Sequence, residues 1–146
     1  MRQKYTLDEI TALQTAYKQA IYEVYSEEET IQLCIDQCCP RLDALLIEHY
    51  QPNYTWALIT AYNPYSQCLS ADENQQRHQR LVEHLQKFKL AYLPAVGRDI
   101  DGIWTPEQSL CIFGVELKRA IAIGQKFNQN AIVYGKLNRP IKLQWL

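Results

Sequence analysis

"WALITAYNPYSQCLSADENQQR", residues 56–77, decides how the rest of the chain is read. Trp56 to Tyr62 is apolar except for Thr60 and does not alternate, which predicts a strand covered on both faces and central in a sheet. The run breaks at Asn63-Pro64-Tyr65-Ser66, residues that favour turns. Ser70 and Glu73 have capping-box spacing and open a helix to about Phe88, with an inner stripe of Asn74, His78, Leu81, Leu85 and Phe88. Polar Asn74 thus stands on the core-facing line at the first turn.

Toward the C-terminus, "LAYLPAVG" and "SLCIFGV" predict strands on either side of the polar loop "RDIDGIWTPEQ". Glu116 to Phe127 predicts a helix whose inner face carries Gly124, allowing close approach to the sheet; "NAIVYG" and "IKLQWL" complete the strands. Trp56 to Gly135 therefore reads βαββαβ, the ferredoxin-like split unit. Toward the N-terminus, Thr6 and Glu9 repeat the capping-box spacing before Ile10, Leu13 and Tyr17, predicting a helix over 7–19. Ile21 to Tyr25 and Ile31 to Ile35 predict a hairpin tipped by Glu27-Glu28-Glu29, and Pro40 opens a helix with a Leu42, Leu45, Leu46 stripe that Pro52 and Asn53 terminate. The expected fold is one α+β domain. Residues 55–146 form the ferredoxin-like core and C-terminal strand, and residues 1–54 add a helix, a β-hairpin and a helix.

Composition narrows the function classes. Fifteen basic and sixteen acidic residues leave a formal net charge of -1, so no global field draws nucleic acid or anionic lipid. Cys34, Cys38, Cys39, Cys68 and Cys111 lack C-x-x-C spacing and are expected to be small buried hydrophobes in a reducing cytosol. Neither they nor His49, His78 and His84 form a metal-ligand pattern, so no metal site is assigned. Asp8 and Glu9 stand where a secretion signal would be apolar, and no membrane-length apolar run exists, which predicts a cytoplasmic protein.

The candidate site follows from connection parity. If the Trp56 strand ends at the top of the sheet, so do Asn63 to Ser66 and the start of the Ser70 helix. That helix descends and the next strand rises, delivering Gly97 to Asp99, the Trp104 loop and Glu107 to the top. The Glu116 helix climbs back and places Gln129 and Asn130 there, and the early strand ends upward near Asp36 and Cys38. The ligand-binding candidates are Asn63, Ser66, Glu73, Asn74, Arg77, Asp99, Trp104, Glu107, Ser109, Gln129 and Asn130. Each also has a plainer role, as a turn, a capping box, a Glu73 to Arg77 helix pair or a strand entrance.

"WALITAYNPYS", "S-x-x-E-N-x-x-R" (Ser70, Glu73, Asn74, Arg77), "G-x-D-x-x-G-x-W-x-P-E-x-S" (Gly97 to Ser109) and "F-x-Q-N-A-I-V-Y-G" (Phe127 to Gly135) together resemble the bacterial domain-of-unknown-function family 3293. The likeness runs from about Tyr17 to the C-terminus and departs at Asn128, where the family's glycine is expected. The family is uncharacterised, so the resemblance implies little about function and leaves activity and cofactor open.

Three functions compete. In the first, Asn63, Asn74, Gln129 and Asn130 read a base or amide edge of a small molecule or nucleotide, Arg77 and Arg98 hold a phosphate or carboxylate, and Tyr65 or Trp104 stacks. In the second, Glu73, Asp99, Asp101 and Glu107 support a metal-assisted enzyme acting on a phosphoester or nucleotide. In the third, Tyr17, Tyr22, Tyr25 and Tyr50 form a protein-protein interaction surface in the tyrosine-rich N-terminal region.

Overall fold

The computed structural model describes residues 4–146, so the first three residues of the charged N-terminal stretch lie outside it. Four helices and seven strands follow in the order α1 (Leu7–Gln19), β1 (Ile21–Tyr25), β2 (Thr30–Leu33), α2 (Pro40–His49), β3 (Thr55–Thr60), α3 (Ala71–Lys87), β4 (Ala91–Arg98), β5 (Glu107–Phe113), α4 (Leu117–Lys126), β6 (Ala131–Lys136) and β7 (Lys142–Trp145). They form a single α+β domain. All seven strands join one antiparallel sheet in the order β2-β1-β4-β5-β3-β6-β7. β3 lies between β5 and β6 with Trp56 to Ile59 buried, as its unbroken apolar run requires.

The sheet is curled. Edge strands β2 and β7 stand at opposite ends of the strand order, yet the segment after β2 reaches the start of β7. Asp36 N–H donates to Ile141 O at 2.7 Å, and Ile141 N–H donates to Gln37 O at 2.9 Å. The enclosed side holds Val24, Ile31, Leu33, Trp56, Leu58 and Phe113, plugged at one end by Leu42 and Leu46 of α2. The outer side carries α3 and α4, whose Leu81, Leu85, Ala120 and Ile123 pack on Ala57, Ile59 and Ile112. Fully buried leucines contribute roughly 1.5–3 kcal/mol each, so Leu81 and Leu85 anchor α3 firmly. Gly124 lets α4 sit close: a Cβ there would stand 2.6 Å from Leu146 Cδ1 and 2.8 Å from Ile132 Cγ2.

The structure departs from the sequence expectations at several places. The N-terminal hairpin extends the sheet, because β1 pairs with β4. Asp36 leaves the edge toward which β2 points and joins Ile141 at the other end of β7. Phe88 is 47 % exposed: α3 ends at Lys87, and the residue beyond its last turn splays away from the stripe to meet His84 and Arg119. Of the five free cysteines only Cys111 is buried, while Cys38 and Cys68 are exposed. Apolar neighbours in sequence did not put those two inside, since both lie in connections rather than strands.

α1 is packed differently from the other helices. Its capping box forms, with Glu9 N–H donating to Thr6 Oγ1 at 3.2 Å and Thr6 N–H to Glu9 Oε2 at 2.8 Å, but none of its residues is buried. Tyr17 instead leans on the Trp145 ring, 6.3 Å between centroids. The helix lies over the enclosed face as a roof.

Candidate functional site

Asn63 organises the edge where β3 ends. Its backbone is left-handed (φ 46), a conformation that asparagine tolerates better than most residues. Its side chain then faces three ways: Nδ2 donates to Glu107 Oε1 at 3.0 Å, and Oδ1 accepts from Leu69 N–H at 3.1 Å and from Asn74 Nδ2 at 2.9 Å. Asn63 N–H donates to Asn74 Oδ1 at 2.9 Å, so the two amides are reciprocally paired. This answers why polar Asn74 stands on the buried line of α3. Tyr65 (φ 50) and Ser66 (φ 60) are also left-handed, an arrangement that costs of order 1–3 kcal/mol per residue and persists only where the surroundings enforce it. They are held by Tyr65 N–H donating to Asn128 O at 2.8 Å and by the Ser66 hydroxyl beside Tyr17 OH at 2.9 Å. Asn128, where the resemblance leads one to expect glycine, is itself left-handed (φ 57), a geometry that glycine favours.

Between this loop, the roof α1 and the enclosed face of the sheet lies a cleft of about 820 Å³. Leu58, Thr60, Gly97, Ser109 and Val133 are on its floor side, Leu13 and Tyr17 belong to the roof, and Trp104 and Pro106 stand at the rim. Seven of the sequence candidates line it: Asn63, Ser66, Asn74, Trp104, Glu107, Ser109 and Gln129. Tyr22, which the sequence offered for a contact surface rather than a ligand site, Tyr62 and exposed Cys68 also line it, and none of the three is among the ligand-binding candidates.

Glu107 is the one acidic or basic residue lining the cleft among the described residues. Burial pushes its carboxyl above the ordinary range, and the Asn63 hydrogen bond pulls the other way without cancelling it. Its neighbours reinforce the dry surroundings. Burial raises the phenols of Tyr17, Tyr22 and Tyr62, and the nearby Glu107 charge adds to each.

The other four candidates lie outside the cleft lining. Asn130 is buried, with Nδ2 within 3.3 Å of Tyr5 OH, Tyr17 OH and Ser66 Oγ, and so ties the roof to the strained loop. Glu73 serves the α3 cap, receiving the Ser70 hydroxyl at 2.9 Å. Arg77 does not take the pairing with Glu73 that its spacing allows; its Nε donates to Ala61 O at 2.6 Å and its Nη2 to Phe127 O, locking the end of β3 to the end of α4. Asp99 shapes its own loop, accepting from Asp101 N–H at 3.2 Å and Ile103 N–H at 3.1 Å. Arg98 is paired with Glu23, so neither arginine of the phosphate reading is at the cleft. Among the described residues, no three His, Cys, Asp or Glu side chains gather to hold a metal ion. Of the tyrosines read as a contact surface, Tyr22 is buried and Tyr50 stacks on Phe113 at 3.9 Å, while Tyr25 remains exposed.

The fold and site define a single α+β domain built on a curled antiparallel sheet, with a polar-rimmed cleft on the enclosed face. The chain belongs to DUF3293, a family described as a protein of unknown function, whose model matches residues 59–132. That span begins inside β3 and ends in β6, and so contains the Asn63 loop, α3, the Trp104 loop and Glu107 but not the roof helix. No curated protein and no solved structure matches the chain. Among the described residues no helix is long and apolar enough to cross a membrane.

Proposed function

We propose that this protein is a small-molecule-binding domain whose ligand enters the cleft between α1 and the enclosed face of the sheet. The observation that carries the reading is the volume of about 820 Å³ with an apolar floor and a polar rim concentrated around Asn63 and Glu107. Clefts of about 300–1,000 Å³ with few convergent polar groups are the usual form of such sites. Three left-handed residues within Asn63 to Ser66 add support, because strain of that kind clusters where a loop must hold a set shape. A nucleoside base fits this description better than the phosphate of a nucleotide, since no lysine or arginine lines the cleft among the described residues.

Two finer readings belong with this one. The order β4-β5-β3-β6 supports a ferredoxin-like unit at the centre of the sheet, flanked by α3 and α4 on one side. Five free cysteines support a reducing, cytoplasmic location.

The test is a thermal-shift panel of nucleosides, nucleotides, sugars, amino acids and divalent ions on the parent protein and on two cleft-narrowing variants, Ala131→Leu and Leu13→Trp. Stabilisation of the parent by a compound class, lost in folded variants, upholds the reading. Stabilisation that survives in both variants places the ligand elsewhere and overturns it.

A further inference from the structure

Much of the hydrogen-bonding capacity of the cleft around Glu107 is met within the protein. Several donors on its walls are already spent within the protein. Thr60 Oγ1 donates to Gln108 O at 2.6 Å, Ser109 Oγ to Glu107 O at 3.2 Å, Tyr22 OH to Tyr17 O at 2.9 Å, and Gln129 Nε2 to Tyr62 O at 3.0 Å. Asn63 Nδ2 is committed to Glu107 Oε1. The second carboxylate oxygen of Glu107 has no hydrogen-bond donor among the described residues, and the two nearby arginines are held by other acceptors. Half-buried Glu107 thus keeps one negatively charged oxygen open to the cleft, in a setting where an unpaired charge is unfavourable. The surrounding rings of Tyr17, Tyr62 and Trp104 add electron-rich surfaces suited to a cation.

From this we infer, building on the small-molecule reading above, that the cleft selects an organic cation: a protonated amine, amidine or guanidine on a flat apolar body, with Glu107 as its counter-charge. The cationic N–H groups fill the free carboxylate oxygen, and the apolar body rests on the Leu58 and Val133 side of the cleft. An anion of the same shape meets only repulsion at Glu107.

The experiment uses three probes of nearly the same shape and different charge: benzamidine (cation), benzamide (neutral) and benzoate (anion). Binding to the full chain is read as a melting-temperature shift and as protection of Cys68, the exposed thiol on the cleft wall, from alkylation. Benzamidine is expected to bind about tenfold more tightly than benzamide, the effect of one charge-assisted hydrogen bond, and benzoate more weakly than either. Glu107→Gln should remove the tenfold preference for benzamidine over benzamide. The parent supplies a second measurement that needs no variant. Benzamidine affinity should fall as acid protonates Glu107, whereas benzamide affinity should not; the other titratable groups facing that carboxyl, Tyr17 from α1, Tyr22 from β1 and Tyr62 after β3, are phenols that stay neutral over this range.

A blocked arginyl peptide forms a separate arm: response to it with none to benzamidine keeps the cation and assigns its source to a peptide. Benzamide or benzoate binding as tightly as benzamidine, with Cys68 protected, overturns the cation inference and leaves the cleft reading standing. No shift and no protection from any probe or from the wider panel overturns both.

Discussion

Replacing Asn63 separates the two things it does. Asn63→Gly removes three side-chain hydrogen bonds while fitting the left-handed backbone at least as well as asparagine. The two neutral bonds contribute about 1 kcal/mol each and the bond to the Glu107 carboxylate about 1.5–3 kcal/mol, so with partial solvent access the loss is about 3–4 kcal/mol. Asn63→Ala loses the same bonds and also places a Cβ residue at φ 46, which adds about 1–2 kcal/mol. At roughly 4 °C per kcal/mol for a chain of this size, the glycine variant should melt about 14 °C below the parent and the alanine variant several degrees lower again. Asn63→Asp keeps the acceptor for Leu69 and Asn74 but turns a carboxylate toward Glu107, so its loss at neutral pH should shrink as acid protonates the pair. Thermal and urea unfolding followed by circular dichroism give all three values. A glycine variant within about 1 kcal/mol of the parent would refute the hub, because ordinary surface asparagines cost no more.

Glu107→Gln should be more stable than the parent at pH 7 and equal to it in acid. Burial raises the folded carboxyl's pKa, so the parent is relatively most stable below the unfolded value of 4.5 and loses that advantage as pH rises through the folded value; a variant no more stable than the parent at pH 7 contradicts the desolvation. Gly135→Ala should cost about 1–3 kcal/mol or more and disturb the near-ultraviolet tryptophan signal, since a Cβ there would run into the buried Trp56 indole; unchanged unfolding would contradict the register. Amide exchange should be faster throughout α1 than at the centre of α3, because α1 buries no residue, and Tyr17→Phe should quicken it further. Slow exchange in α1 would mean the roof is held by more than its tyrosines.

The local elements were legible because their causes are local. Thr6 with Glu9 and Ser70 with Glu73 start helices by satisfying N–H groups three residues away, and Pro40 fits the first turn of α2. The apolar run at Trp56 declared a central strand, and the parity of connections was enough to bring Asn63 and Glu107 to one edge, where they are hydrogen-bonded. Asn74 on a buried helical line announced a polar partner, though not which one.

Other features depended on neighbours far along the chain. Sequence spacing offered Arg77 to Glu73, but two carbonyls at Ala61 and Phe127 come within its reach only after β3 and α4 are packed. Asn130 read as a rim residue until α1 and the residues just before it folded over it and supplied Tyr17 and Tyr5. The curl brings Asp36 and Gln37 onto Ile141, about a hundred residues away. The desolvation of Glu107 belongs wholly to this level: a carboxylate carries the same charge in any sequence, and only the walls assembled around it set what that charge requires. Capping, alternation and turn chemistry were therefore settled by residues within a few positions of one another, whereas the cleft and its acceptor arose where distant segments excluded water together.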